Sequence, residues 1–291
     1  MRRLAFLLAV TLAAPLPAQQ PPLEVLLLGT GYPRPDPVRA GPATAILSGD
    51  RVFLVDAGRG VVQRWAATEI PLKRLHAVFL THLHSDHIAG LPDLFNTSWI
   101  FGRYEPLRLF GPAGTTKLAR AMRAFFAVDI PIRRDLTEKH PGAGATVDAR
   151  VVAEGVVYRD ASLSVTAFRV DHRPVQDAFG YRFDGAGRSV VVSGDTRPSD
   201  NLIRHAKGAD VLVHEAYLPE HFDRVDAPDV AARLKAYHTS AEEAGRVAAA
   251  AGVKLLVLTH LIPGDASDTF RERAARAFQG RIEVGKDLQR F

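Results

Sequence analysis

The segment at residues 81–90 has the sequence Thr81-His82-Leu83-His84-Ser85-Asp86-His87-Ile88-Ala89-Gly90. It places three imidazoles and one carboxylate within six positions, and these are the ligands that zinc accepts when no thiolate is available. An apolar run typical of a strand precedes the segment, and a helical pattern follows it. A regular strand or helix could not aim all four side chains the same way, whereas a loop can wrap them around metal ions. The segment therefore predicts a metal site on a strand-to-helix loop at a sheet edge.

Three more side chains that could bind a metal lie just beyond the ends of other apolar runs: His172, Asp195 and His260. Taken singly, each is as readily a turn residue or a hydrogen-bonded polar group. Because strand ends offer a rigid platform for a site, and because one loop cannot complete the coordination of two ions, we expect all three to join residues 81–90.

Short apolar runs alternate with amphipathic stretches along the rest of the chain, which predicts both strands and helices. Strands are predicted at residues 25–28, 43–47, 52–55, 77–80, 107–110, 163–170, 179–183, 188–192, 211–213 and 254–258. Helices are predicted at residues 60–67, 88–99, 115–126, 200–207, 227–237, 241–251 and 269–278. Asp184-Gly185-Ala186-Gly187 is typical of a hairpin turn, whereas other strands are separated by helices. We expect an α/β (α+β) domain with mixed sheets covered by helices.

The amino-terminal residues have the pattern of a secretory signal. Arg2 and Arg3 precede an apolar run at residues 4–14, which is too short to span a membrane. We expect residues 1–18 to be removed as a signal peptide, leaving residues 19–291 as a single domain without a membrane span. This predicts an exported protein, periplasmic or extracellular.

Composition restricts the partners and the chemistry. The chain has no cysteine, which excludes disulfides, thiolate ligands and a cysteine nucleophile. Its formal charge of +5 is modest, and no cluster of lysine and arginine with interleaved aromatic residues is present. We therefore expect no nucleic-acid partner, and the basic balance is compatible with a small anionic substrate without requiring one. The sequence leaves the oligomeric state open, with a dimer among the options.

The order His-x-His-x-Asp-His, a distant His, an Asp and a final His resembles the metallo-β-lactamase superfamily, and the likeness extends from about residue 23 to residue 260. The resemblance implies a four-layer αββα sandwich, with two mixed sheets inside, helices outside and metals at one edge. It further implies two divalent metal ions, with zinc expected. The first ion would be held by His82, His84 and His172, the second by Asp86, His87 and His260, and Asp195 would bridge them.

Other residues separate the branches of this superfamily. The bridging Asp195 is unlike the true β-lactamases, so antibiotic hydrolysis is not expected. Val213-His214-Glu215-Ala216 and Tyr237-His238-Thr239-Ser240 are similar to motifs of ribonuclease Z and of the arylsulfatases that resemble it. In that likeness His238 would lie near the leaving-group oxygen, and Glu215 would hold its imidazole. Asp56 matches an early Asp of the family that orients a ligand imidazole.

Three segments favour the arylsulfatase-like group: Gly29-Thr30-Gly31-Tyr32-Pro33, Asn96-Thr97-Ser98-Trp99 and Asp177-Ala178-Phe179-Gly180-Tyr181-Arg182. The long Gly/Pro-rich arm with which ribonuclease Z grips transfer RNA is not found, and transfer-RNA maturation is cytosolic. We therefore expect an exported hydrolase of sulfate or phosphate esters, with a metal-bridging hydroxide as nucleophile, Asp86 as a proton acceptor and His238 as proton donor. The alternatives are a ribonuclease Z-like phosphodiesterase and a lactonase or other carboxylic-ester hydrolase.

Overall fold

A computed structural model describes residues 22–223 and 227–291, so the predicted signal peptide at residues 1–18 lies outside the described residues. The strands are β1 (Glu24–Gly29), β2 (Ala43–Ser48), β3 (Arg51–Val55), β4 (Leu75–Phe79), β5 (Leu107–Gly111), β6 (Val147–Val151), β7 (Gly155–Arg159), β8 (Leu163–Arg169), β9 (Phe179–Gly185), β10 (Arg188–Val192), β11 (Val211–Tyr217), β12 (Leu255–Ile262) and β13 (Arg281–Val284). The helices are α1 (Val61–Ala66), α2 (Ser85–Ile88), α3 (Leu91–Ile100), α4 (Thr115–Phe125), α5 (Asp129–Pro131), α6 (Asp200–Ala206), α7 (Pro219–Phe222), α8 (Pro228–Tyr237), α9 (Ala241–Ala251) and α10 (Ser267–Ala275).

The strands form two mixed sheets. The first has the order β1-β2-β3-β4-β5-β6, antiparallel from β1 to β3 and parallel from β3 to β6. The second has the order β13-β12-β11-β10-β9-β8-β7, parallel from β13 to β10 and antiparallel from β10 to β7. In both sheets the parallel strands alternate with helices in the sequence, as crossover connections require.

Three apolar layers hold the sheets and helices together. The sheets face each other across a core rich in aromatic side chains, among them Phe79, Phe110 and Tyr181. Helices α1, α3 and α4 cover the outer face of the first sheet, and α6, α9 and α10 cover that of the second. Each fully buried large side chain contributes roughly 1.5–3 kcal/mol of transfer free energy. The arrangement confirms the predicted αββα sandwich.

Local signals explain several element boundaries. Strands β9 and β10 form the predicted hairpin, and Ala186 and Gly187 both take positive φ angles in its turn. Ser240 and Glu243 form a capping box at the start of α9, which Gly252 ends in the left-handed conformation. No helix among residues 22–223 and 227–291 is long and apolar enough to cross a membrane.

One strand runs further than predicted, and this extension shapes the site. The apolar run at residues 254–258 is followed by Thr259 and His260, but β12 continues through both to Ile262. Opposite them, Glu215 pairs with Thr259 and Ala216 pairs with Leu261, so His260 is the unpaired residue of a β-bulge. A bulge re-aims a side chain out of the usual alternation, and here the re-aimed side chain is that of His260.

Candidate metal centre

The structure brings all seven side chains predicted as ligands to one edge of the sandwich. His82 and His84 lie on the loop after β4, and Asp86 and His87 lie in the short helix α2. The remaining three come from the ends of strands in the second sheet, namely His172 after β8, Asp195 after β10 and His260 in β12. Six of the seven are buried, and His84 is exposed.

Three imidazole nitrogens form the first cluster. His84 Nδ1 lies 2.9 Å from His82 Nε2 and 3.3 Å from His172 Nε2. Asp195 Oδ2 lies 3.8 Å from His82 Nε2 and 3.9 Å from His172 Nε2. Ligands at zinc–nitrogen distances of 2.0–2.1 Å in a tetrahedron are about 3.3 Å apart, so four atoms at these separations suit one ion.

The second cluster lies on the other side of Asp195. Asp86 Oδ2 is 3.4 Å from His87 Nε2 and 3.3 Å from His260 Nε2. Asp195 Oδ2, the atom that faces the first cluster, is also 3.3 Å from His87 Nε2 and 3.4 Å from His260 Nε2. A single carboxylate oxygen therefore lies between the two sets of ligands.

The charges of these groups suit a cation. Burial would raise the pKa of the Asp195 carboxyl, but the imidazoles of His260 and His87 hold it well below its usual range. Burial lowers the pKa of His82 strongly and that of His172 to about 4. Asp195 is thus an anion and the imidazoles of His82 and His172 are neutral, the forms that metal ions bind.

Hydrogen bonds behind the cluster fix the ring orientations. His87 Nδ1 donates to Asp56 Oδ2 at 2.7 Å, in the position predicted for Asp56. His82 Nδ1 donates to Thr81 Oγ1 at 3.0 Å, and this hydroxyl donates to Asp56 Oδ2 at 2.8 Å. His172 Nδ1 donates to the carbonyl oxygen of Tyr237 at 3.0 Å. Each bond holds its ring with Nε2 directed into the cluster, where a metal ion can bind it.

Two residues of the site have left-handed backbone conformations that non-glycine residues rarely adopt. Asp56 has φ of 60°, and His260 has φ of 47°. Such conformations persist only where the surroundings determine them, and they concentrate at functional sites. Asp56 is held by the Thr81 amide and hydroxyl and by His87, while His260 is held by the β-bulge.

His238 and Glu215 form a buried pair beside the cluster. Both oxygens of Glu215 lie within hydrogen-bonding distance of His238 Nδ1, at 2.9 and 2.8 Å. The Thr196 amide, next to Asp195, also donates to Glu215 at 2.7 Å. Burial would lower the pKa of His238, but the Glu215 carboxylate raises it to about 9. One ligand-capable atom from each of Asp195, His238 and His260 lies within 4.8 Å of the others, so this imidazole borders the second cluster.

The residues fit a divalent metal ion. His87 Nε2 is buried without a hydrogen-bond partner among the described residues, although the oxygens of Asp86 and Asp195 lie within 3.4 Å of it. Burying such a group without a partner is costly. An ion between the nitrogen and the two carboxylates would satisfy all three groups, and the donors are all imidazole nitrogens and carboxylate oxygens.

Sequence reasoning missed part of the support behind these residues. The backbone carbonyl of Tyr237 carries no signal in the sequence, because its role depends on where α8 ends. Thr81 does carry a sequence signal, since the hydroxyl of a residue directly before the first predicted ligand, His82, can reach the Nδ1 atom of that imidazole. Asn96, Ser98 and Trp99, interpreted above as a substrate-class signature, are buried on α3 and lie outside the cluster.

Comparisons with known proteins agree with this geometry. A family model described as "Beta-lactamase superfamily domain" matches residues 51–261. A protein named Ribonuclease Z from Mycobacterium sp. (strain KMS) is 44% identical over 283 residues, covering 92% of this chain and 95% of that protein. The solved structure of human tRNase Z, short form, has a TM-score of 0.69 at 24% identity, covering 92% of this chain and 98% of that one. Zn²⁺-bound PqqB from Methylobacterium extorquens has a TM-score of 0.66 at 19% identity, covering 92% and 99%.

These relatives show that the predicted arylsulfatase-like function is wrong. One of the segments on which it rested, residues 96–99, serves packing. Asn96 Nδ2 donates to Asp129, Ser98 Oγ accepts from Arg103, and Trp99 Nε1 donates to the Pro141 carbonyl. Side chains engaged in such internal bonds carry no information about the ester that is cleaved.

The predicted absence of a nucleic-acid partner is also wrong, because the relatives are ribonucleases by name. Net charge averages over the whole surface, whereas RNA is recognised by charges placed locally. The predicted export, which rested on residues 1–18 outside the described part of the chain, is contradicted by the same relatives.

Proposed function

Because this chain belongs to the metallo-β-lactamase superfamily and to its ribonuclease Z branch, we propose that it is a metal-dependent phosphodiesterase that cleaves RNA. The observation that carries the proposal is the buried His238–Glu215 pair directly beside the His/Asp cluster. A cluster alone would suit many hydrolytic reactions. A proton donor at its border suits the departure of a poor leaving group such as a ribose oxygen.

We assign the seven ligands to two ions. His82, His84, His172 and Asp195 would hold one, and Asp86, His87, His260 and the same Asp195 oxygen would hold the other. The donor set of imidazole and carboxylate favours zinc. Bound divalent ions of this kind supply Lewis acidity toward phosphoryl oxygens and lower the pKa of water toward neutrality.

The chain's own residues bind the substrate and move the protons. Asp86 lies where it can accept a proton from the attacking water. His238, with Nδ1–H held by Glu215, keeps its second nitrogen free to protonate the departing oxygen. Since Glu215 stabilises the imidazolium, the donor is charged at neutral pH.

Two arginines that follow predicted ligands in the sequence share a single carboxylate. Arg173 and Arg197 follow the ligands His172 and Asp195, and both guanidinium groups pair with the single carboxylate of Asp171, at 2.8 and 2.6 Å. Two cations on one anion leave one positive charge beside the cluster, which favours a polyanionic substrate.

The chemistry is tested by comparing zinc-loaded protein on an aryl phosphodiester, an aryl sulfate and a lactone. We expect the phosphodiester to be hydrolysed with the largest kcat/KM. Hydrolysis of the lactone without hydrolysis of either ester would contradict the proposal, and it would also remove the role of His238 as proton donor.

The Thr81→Val variant should bind zinc about 10–100-fold more weakly, the usual consequence of removing a group that orients a ligand imidazole. Valine keeps the shape of the side chain but removes the hydroxyl that holds His82 Nδ1 and Asp56. Zinc affinity is measured by competition with a chromophoric chelator. Thr115→Val is the matched control, since Thr115 is also fully buried and its hydroxyl bonds only the Pro112 carbonyl. Equal zinc affinity in the two variants would show that Thr81 does not position His82.

A further inference from the structure

A second polar cavity lies at the opposite end of the first sheet from the metal centre. Its volume is about 360 Å³, and His76 and Arg108 reach it from the starts of β4 and β5. His82 lies six positions after His76 in the sequence. At a rise of about 3.3 Å per residue along an extended strand, this places the cavity roughly 20 Å from the proposed metal ligands. The charged and aromatic side chains around it are Lys73, His76, Arg103, Tyr104, Glu105 and Arg108.

The hydrogen bonds next to this cavity give Arg108 an imidazole nitrogen as acceptor but no carboxylate. The Tyr158 hydroxyl donates to Asp160 Oδ2 at 2.5 Å, and its oxygen accepts from Arg51 Nη1 at 3.2 Å. His76 Nε2 is then free to accept from Arg108 Nη1 at 2.6 Å. The Nε and Nη2 groups of Arg108 have no acceptor among the described residues, and a guanidinium cannot give up its proton.

Other positive charges at the cavity are also without carboxylate partners. Arg103 is buried and donates to Ser98 and to backbone carbonyls of Phe95 and Gly144. Among the residues that the structure describes, no carboxylate lies within 4.0 Å of the charged groups of Lys73, Arg103 or Arg108, although Glu105 also borders the cavity. Burial and the neighbouring Arg108 lower the pKa of His76 to about 4, so this imidazole stays neutral and supplies no charge that would balance Arg108.

We propose that this cavity binds the phosphate group of a nucleotide, supplied either by a free nucleotide or by an RNA strand. An anion between Lys73 and Arg108 would accept the guanidinium protons that have no acceptor. The cavity is several times larger than a phosphate group, and the exposed ring of Tyr104 at its rim offers a face on which a base can stack. The RNA alternative rests on the proposed function, whereas binding of a free nucleotide does not.

The first experiment titrates the zinc-loaded protein with adenosine 5′-monophosphate by calorimetry. We expect two binding events in the wild type, one at the metal centre and one at the cavity. Arg108→Gln should weaken the second event about tenfold, as expected for losing a charged hydrogen-bond donor, while turnover of a small aryl phosphodiester stays unchanged. Lys73→Gln, at an exposed side chain, repeats the test where folding is not at risk. Arg150→Gln is the matched control, because Arg150 on neighbouring β6 pairs with Asp148 and does not line the cavity.

The second experiment measures the KM for RNA in the same variants. If RNA is the source of the phosphate, Arg108→Gln and Lys73→Gln raise this KM several-fold and Arg150→Gln does not. If a free nucleotide is the source, the KM for RNA is unchanged and only the calorimetric event is weakened. Unchanged nucleotide binding together with unchanged KM in both variants would overturn the proposal. Because the titration needs no turnover, failure of the ribonuclease activity would leave its result interpretable.

Discussion

Asp195→Ala is expected to lose bound metal and activity together, with a fall in turnover on the order of a thousand-fold or more. One oxygen of Asp195 lies within 4.0 Å of imidazoles from both clusters, so its removal weakens both proposed ion sites. Several kcal/mol of transition-state stabilisation depend on the ions, and each 1.36 kcal/mol corresponds to a factor of ten in rate. His84→Ala should act in the same direction.

The test measures metal content, by mass spectrometry, and turnover on the same preparation of each variant. Asp210→Ala is the matched control, since Asp210 bonds Ser189 at the opposite end of β10 and pairs with Lys254. An Asp195→Ala protein that keeps two equivalents of metal would contradict the assignment of Asp195 as the bridging ligand.

His238→Ala should retain the metal but lose turnover by about 10²–10⁴-fold, the usual contribution of a positioned general acid. The loss should be largest for substrates with poor leaving groups, because these need the proton most. Glu215→Gln keeps the imidazole but removes the charge that raises its pKa. Glu215→Gln should therefore lower turnover less than His238→Ala does, and its effect should also be largest for substrates with poor leaving groups.

A series of aryl phosphodiesters with leaving groups of increasing pKa separates this role from a structural one. The dependence of rate on leaving-group pKa should be shallow in the wild type and steep in His238→Ala. His205→Ala is the control, because His205 lies on α6, stacks on Phe168 and is outside the cluster. Equal losses across the series would mean that His238 does not donate the proton.

Much of the cluster could be predicted because the proposed ligands follow a simple physical rule. Each ligand is a polar side chain placed where an apolar strand ends, and parallel strands bring their carboxyl ends to one edge of a sheet. His172 and Asp195 lie where this rule puts them. His260 obeys it only in part, since the polar Thr259-His260 pair looked like the end of a strand that in fact continues through a bulge.

The edges of the sheets could not be predicted in the same way. No residue of β6 or β7 is buried, and Asp148 and Arg150 interrupt the apolar pattern of β6. They are strands because neighbours pair with them, which is a tertiary effect. The cavity at Arg108 is likewise invisible in sequence, because it depends on which residues begin adjacent strands.

The substrate class was mispredicted for a related reason. Similarity at Asn96-Thr97-Ser98-Trp99 reflected how α3 packs against the segment at residues 129–145. Under the proposed function, the residues that would bear on the substrate are the His238–Glu215 pair and the arginines paired with Asp171.

Cleavage of a precursor transfer RNA with an extended 3′ end by the zinc-loaded protein tests the central claim most directly. We predict a discrete cleaved product with the wild type, none after chelation of the metal or with Asp195→Ala, and a greatly reduced yield with His238→Ala. An intact RNA, under conditions in which the same preparation hydrolyses an aryl sulfate or a lactone, would contradict the assignment of this metal centre to RNA phosphodiesters.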